Sequence, residues 1–179
     1  EVWIFYDNDN IYVGAKCYDS APEERWVANE MRRDNTNVIR NENFAIYFDT
    51  FYDHRNAFLF ELTPIGGIYD AYVTNERPPG NTDYQPVWNR APGRFDGGWI
   101  AEMAIPFRAI RYRPGASQVW GVNIRRTVRW KNEESFIQRM IDAEHGVGSL
   151  SGGATSMRRM QLLFAVGDAV LQEVYRDGA

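Results

Sequence analysis

The chain has one cysteine, Cys17, among its 179 residues, which excludes an internal disulfide framework. Cys17 lies in a strand-like run and reads as a small buried hydrophobe. Histidine is nearly as scarce: His54 and His145 are far apart in sequence, so neither has a spaced metal-binding partner. There is no basic excess. Lys and Arg number 20 against 24 Asp and Glu, for a net charge of −4, which argues against general nucleic-acid binding. No apolar run approaches the roughly 20 residues of a membrane-crossing helix. The motifs G-x-S-x-G, G-x-x-x-x-G-K-[ST] and H-E-x-x-H are missing. The glycines of GVGSLSGG (146–153) are not followed by Lys-Ser/Thr, so they form no phosphate loop. No secretory leader opens the chain; EVWIFYD already reads as a strand, and we expect a trimmed domain or a mature fragment.

Aromatic residues, by contrast, are abundant: six Trp, ten Tyr and ten Phe make up 15% of the chain. Such side chains serve strands and cores, and in excess they serve stacking surfaces. Short β-branched and aromatic runs alternate with turn residues. EVWIFY (1–6) and NIYVGAKCY (10–18) flank Asp7-Asn8-Asp9. RWVANEM (25–31) follows Pro22. FAIYFDTF (44–51), AFLFELT (57–63) and IYDAYVT (68–74) come next, then a long polar loop at 75–86. VWNRAPGRF (87–95), GWIAEMAI (98–105), VWGVNIRRTVRW (119–130), ESFIQRM (134–140) and MQLLFAV (160–166) complete the set. PFRAIRYRPG (106–115) predicts one or two helical turns. Residues 141–159 read as a loop rich in Gly and Ser, and VLQEVYRDGA (170–179) as a tail or link. About ten short strands at hairpin spacing predict an all-β fold, an antiparallel, jelly-roll-like β-sandwich over residues 1–166, with 167–179 as a tail or a linker to a following domain.

FDTFYDHRNAFLFEL (48–62) concentrates the chemistry-bearing side chains. Alternation puts Phe44, Ile46 and Phe48 with Phe58, Phe60 and Leu62 on a core face, and Tyr47, Asp49, Leu59 and Glu61 on the other. Asp53, His54 and Asn56 are turn formers. The hairpin reading is preferred; a structural calcium held by Asp49 and Asp53 is the alternative. Glu61, Glu102 and Asp49 are the candidates for paired hydrolytic carboxylates. Along 119–131, Val122, Ile124, Val128 and Trp130 alternate with Asn123, Arg125, Thr127, Arg129 and Lys131. The second set is either a basic ligand-binding ridge or a solvated face neutralised by Glu61, Glu102 and Glu134. Arg126 breaks the apolar set and is expected to pair with an acid or to lie beyond the core edge. Trp88 and Trp99 open strands and read as structural. Tyr72, Trp26 and Trp130 are further stacking candidates.

YDNDNIYVGAKCYDS, RRD (32–34), FAIYFDTFYDHRNAFLFELTP, PVWNRAPGRFDGGWIAEMAIPFRAIRY and WGVNIRRTVRWKNEESF, in that order, resemble domains similar to the family 9 carbohydrate-binding modules. The nearest likeness is to the version at the front of large bacterial proteins of unknown function, often with an outer-membrane-type barrel behind it. The resemblance spans roughly residues 1–166 and implies a β-sandwich, export from the cytoplasm and no catalysis by this domain. It also has departures. The earlier Ile-Asp-Gly-like turn of the family is missing. Its sugar-clamping tryptophans would fall near Ile39 and within 145–158, where this chain has none. Its helping Glu and Arg would fall at Ala45 and Glu61. A polysaccharide or oligosaccharide ligand would therefore need other residues, and we expect Tyr47, Glu61, Asn123 and Arg125 on one sheet face with Tyr84 from the loop. The rival expectations are an interaction domain packing on its own downstream domain or a partner, and a hydrolase.

Overall fold

The computed structural model describes residues 1–115, 117–136 and, as backbone, 161–165. Two antiparallel sheets face each other. The smaller contains β1 (Val2–Tyr6), β2 (Asn10–Tyr18), β8 (Gly98–Pro106) and β7 (Asn89–Phe95), in that spatial order. The larger runs β10 (Glu133–Phe136), β9 (Ser117–Val128), β3 (Asn43–Asp49), β4 (Ala57–Leu62), β5 (Ile68–Thr74), β6 (Arg77–Asn81). β11 (Gln161–Ala165) also pairs with β9, alongside its first half. The expected all-β sandwich is the observed fold.

Alternation generates the core. Ile11, Val13, Ala15 and Cys17 of β2 and Trp99, Ala101, Met103 and Ile105 of β8 point inward from the smaller sheet. Phe44, Ile46, Phe48, Phe58, Phe60, Leu62, Trp120, Val122 and Ile124 meet them from the larger one. The rings interlock edge to face, with Phe60–Trp88 centroids at 5.4 Å and Phe48–Trp120 at 6.1 Å. β3 and β4 are buried along both faces, and a second apolar group covers the outer side of the larger sheet: Tyr47, Leu59, Tyr69 and Val73, with Val38 and Ile39 laid over them.

Turn chemistry fixes the registers. Asp7 Oδ1 accepts from the amides of Asp9 and Asn10, closing the β1–β2 hairpin where Tyr6 faces Ile11. Gly97, at φ +96°, closes β7–β8 beyond the pair Phe95–Gly98. The expected helical signal is a single 3-10 turn, Phe107–Ala109.

Three sequence expectations change. Residues 25–31 form no strand. A 3-10 turn covers Glu23–Arg25, and the rest is tied down by individual contacts. The Trp26 indole donates to Ala21 O, the Arg94 guanidinium lies over its ring, and Glu42 N–H donates to Val27 O. Apolar alternation alone does not supply a free sheet edge. The polar loop 75–86 contains β6, whose Pro78-Pro79 is tolerated because it lies on the sheet's outer edge. β9 ends at Val128, and Arg129–Lys131 is a 3-10 turn, so the ridge expected through 131 is cut after Thr127. The expected loop at 141–159 and the tail from 167 lie outside the described residues.

Candidate functional site

Register assembles the outer face of the larger sheet. Ala45 of β3 stands between Arg125 of β9 and Glu61 of β4. Its methyl is small enough to let the two long side chains meet over it, and Arg125 Nη2 donates to Glu61 Oε2 at 2.6 Å. The next row is Asn123, Tyr47, Leu59, and one row the other way Thr127 faces Asn43. Tyr47, Glu61, Asn123 and Arg125 are thus brought together, as alternation predicts.

They are not, however, a solvated ridge. Exposure is 4% for Tyr47, 0% for Glu61, 5% for Asn123 and 8% for Arg125. Strand alternation tells which face a residue takes and says nothing about what covers that face. Burial dominates the electrostatics. It pushes the Glu61 carboxyl up to about 7, with Glu134 adding to the rise and Arg125 opposing it. It pushes the Tyr47 phenol up to about 12, against the pull of Arg125. The cluster also leaves polar atoms unpaired. Both amide atoms of Asn123, Glu61 Oε1, Arg125 Nε, Thr127 Oγ1 and Asn43 Oδ1 are buried without a hydrogen-bond partner among the described residues. Buried polar groups are nearly always satisfied, so a concentration of exceptions on one face asks for a cause. Asn43 was not among the expected site residues, although it lies four positions before Tyr47 on the same strand face.

Tyr84 goes elsewhere. Its ring packs on Phe58 and Phe60, which point into the sandwich, so it lies on the side of the sheet opposite Tyr47 and Arg125. Its hydroxyl donates to Ala109 O at 2.5 Å, and it lines a groove of about 790 Å³ at the end of the sandwich. A loop residue has no alternation to read, which is why its side could not be foreseen.

Arg126 faces inward and finds acids, as expected. Its Nη1 donates to Glu42 Oε2 at 3.0 Å and to Thr127 O, and its Nη2 lies 3.7 Å from Asp19. The guanidinium also lies over the Trp99 ring. Glu42 further accepts from the amides of Arg129 and Trp130, and Asp19 accepts from the Trp130 indole. Trp130 is therefore held in a structural knot at the end of the sheet. Trp88 and Trp99 are buried, as expected of structural residues.

The 48–62 segment is a hairpin. Asp49 accepts from the amides of Asp53 and His54 at 3.1 and 2.7 Å. Asp53 accepts from the amides of Arg55 and Asn56. Both aspartates of the calcium alternative are engaged by turn amides, and no three His, Cys, Asp or Glu side chains converge among the described residues. The hydrolytic candidates do not converge either. Glu102 is exposed on the smaller sheet, while Glu61 and Asp49 lie at opposite ends of the β3–β4 pair.

The geometry defines a two-sheet antiparallel sandwich whose larger sheet carries a covered polar cluster on its outer face. Solved structures share this fold. A family 9 carbohydrate-binding module from Caldicellulosiruptor kristjanssonii in complex with cellotriose superposes with a TM-score of 0.50 at 11% identity. The match covers 75% of this chain and 61% of that one. The same kind of module in complex with glucose gives 0.50 at 12% identity, over 74% and 61%. This chain thus spans less than two thirds of those structures. No protein-family model matches the sequence, and no curated protein matches it.

Proposed function

We propose that this domain is a non-catalytic carbohydrate-binding module, similar to family 9, in an exported bacterial protein. Its glycan would contact the outer face of the larger sheet through Asn123, Arg125, Glu61 and Tyr47. The observation that carries this reading is the set of unpaired polar atoms on that face. They include donors, Arg125 Nε and Asn123 Nδ2, and acceptors, Glu61 Oε1 and Asn123 Oδ1. Sugar hydroxyls both donate and accept, so one ligand class can satisfy such a mixed set. The similar fold of modules solved with cellotriose and glucose supports the same reading. The exported setting, the domain boundary at 166 and a following domain rest on the resemblance of the ordered motifs.

One observation favours a second reading, an interaction domain that docks on its own downstream domain or a partner. All four side chains are already shielded from solvent, and the clamp tryptophans are missing at the matching positions. Asn123→Val separates the two. The Asn123 side-chain amide makes no hydrogen bond among the described residues, so valine, a good strand residue, should leave thermal stability unchanged or raise it. Calorimetric titration with glucose, cellotriose and a panel of neutral oligosaccharides, with and without calcium, tests binding. The expected result is binding by the wild type that weakens at least tenfold in Asn123→Val. Absence of binding across the panel, or binding unchanged by the substitution, refutes the sheet-face site in favour of the docking reading.

A further inference from the structure

Arg125 is buried against Glu61 and Arg126 points inward to Glu42, so β9 offers an anionic ligand no exposed cation. Cations outside any ion pair among the described residues do, however, stand at the end of the sandwich, around the groove that Tyr84 lines. Arg108 and Arg111 line it too. Both are exposed, and neither guanidinium makes a hydrogen bond or ion pair among the described residues. Asp83 is the one acid among the described lining residues, so guanidiniums outnumber carboxylates two to one in a chain whose net charge is −4. Aromatic rings share the lining with the arginines. Phe51, Tyr72 and Tyr84 are each half-buried, and Tyr72 and Tyr84 back onto the buried Phe58 ring at 4.9 and 5.2 Å.

The groove's walls are fixed by specific bonds. The Tyr84 hydroxyl ties the loop after β6 to the 3-10 turn at Ala109. The Thr50 hydroxyl donates to Arg111 O at 2.5 Å and ties the following backbone to the β3–β4 hairpin. The two arginines therefore project from anchored backbone. The Gln85 amide nitrogen is held by Asp34 Oδ2 and Thr82 O, which orients that side chain and leaves its carbonyl oxygen as an acceptor. Guanidiniums recognise carboxylates with paired, planar donors. Half-exposed aromatic rings accept the apolar C–H faces of sugar rings, and side-chain amides pair with hydroxyls.

We propose that this groove is a second binding site, separate from the sheet face, that takes an oligosaccharide bearing carboxylates, a uronate chain. Arg108 and Arg111 hold the carboxylates, and Tyr72 with Phe51 supports a sugar ring. The site does not depend on the sheet-face reading, since it shares no residue with it.

Calorimetric titration of the protein with tetragalacturonate tests this, with maltotetraose as the neutral control and hexaglutamate as a polyanion lacking sugar rings. The expected result is binding of tetragalacturonate, weakened at least tenfold in the double variant Arg108→Gln/Arg111→Gln, with no binding of maltotetraose or hexaglutamate that depends on the two arginines. Both arginines are exposed and unpaired among the described residues, so the double variant should retain the wild-type melting temperature, and circular dichroism checks this. Raising salt from 50 to 200 mM should weaken the interaction. Binding of maltotetraose that is lost to the same degree in the double variant removes the role of charge. Equal binding of hexaglutamate reduces the groove to a non-specific anion patch or a peptide site. No binding, or binding indifferent to the arginine substitutions, overturns the proposal. Loss in Asn123→Val alone moves the ligand to the sheet face.

Discussion

Replacing Arg125 by methionine removes the cation from a carboxylate that has no exposure to water. Glu61 is fully buried, and the Arg125–Glu61 contact is 2.6 Å. Breaking such a pair commonly costs about 3–5 kcal/mol, because one charge is left without compensation. Here the penalty depends on pH. Burial raises the folded Glu61 pKa from an ordinary 4.5 to about 7. Between those values the folded state keeps a proton that the unfolded state has released. Stability from this group is therefore fully present below about 4.5 and is lost as pH rises through 7; the gap corresponds to about 3 kcal/mol. Without Arg125 the folded pKa moves higher still, so in Arg125→Met the loss continues into the alkaline range. At pH 6 both proteins hold Glu61 mainly as the neutral acid, and the substitution should cost about 1–3 kcal/mol, the penalty of an unmade buried hydrogen bond. At pH 8.5 the difference should grow by about 1.4 kcal/mol for each unit by which the variant's pKa exceeds the wild type's. Urea unfolding followed by tryptophan fluorescence at the two pH values measures both differences. The double variant Arg125→Met/Glu61→Leu should recover most of the loss, since an apolar pair of similar volume needs no compensation. A destabilisation equal at pH 6 and 8.5, or a double variant no better than the single one, would refute the reasoning.

Further expectations come from the packing. Phe60→Ala empties a fully buried site between Phe48 and Trp88 and should lower stability by about 3–5 kcal/mol in urea unfolding. Gly97→Ala and Gly98→Ala are neighbours with different reasons to be costly. A Cβ at Gly97 meets nothing within 4 Å but sits at φ +96°, a strain of about 1–2 kcal/mol. A Cβ at Gly98 would stand 2.2 Å from Cys17 O, so backbone must move and the drop in melting temperature should be the larger of the two. Burial pushes the Cys17 thiol up to about 11, so at pH 8 a thiol reagent should label it only at the rate of unfolding, and at once in 6 M urea. Rapid labelling of the native protein would show the thiol to be accessible.

The sequence by itself determined the class of fold and the division of each strand between two faces. Period-two alternation is a local property, so Phe44, Ile46 and Phe48 were legible as core and Tyr47, Asn123 and Arg125 as sharing the opposite side. Asp49 and Asp53 were legible as hairpin residues because their partners, the turn amides, lie within five positions. Only the tertiary structure decided which charges neutralise one another. Glu61 reaches Arg125 across 64 residues because β3 lies between their strands and offers Ala45 there. It also decided that this face is covered, that Tyr84 belongs to the other side of the sheet, and that residues 25–31 are irregular. It brought Arg108 and Arg111 to the aromatic groove. Each of these depends on which segments pack over a face, or which edge is already taken by another strand. Those are properties of contacts between distant parts of the chain, and no local pattern encodes them.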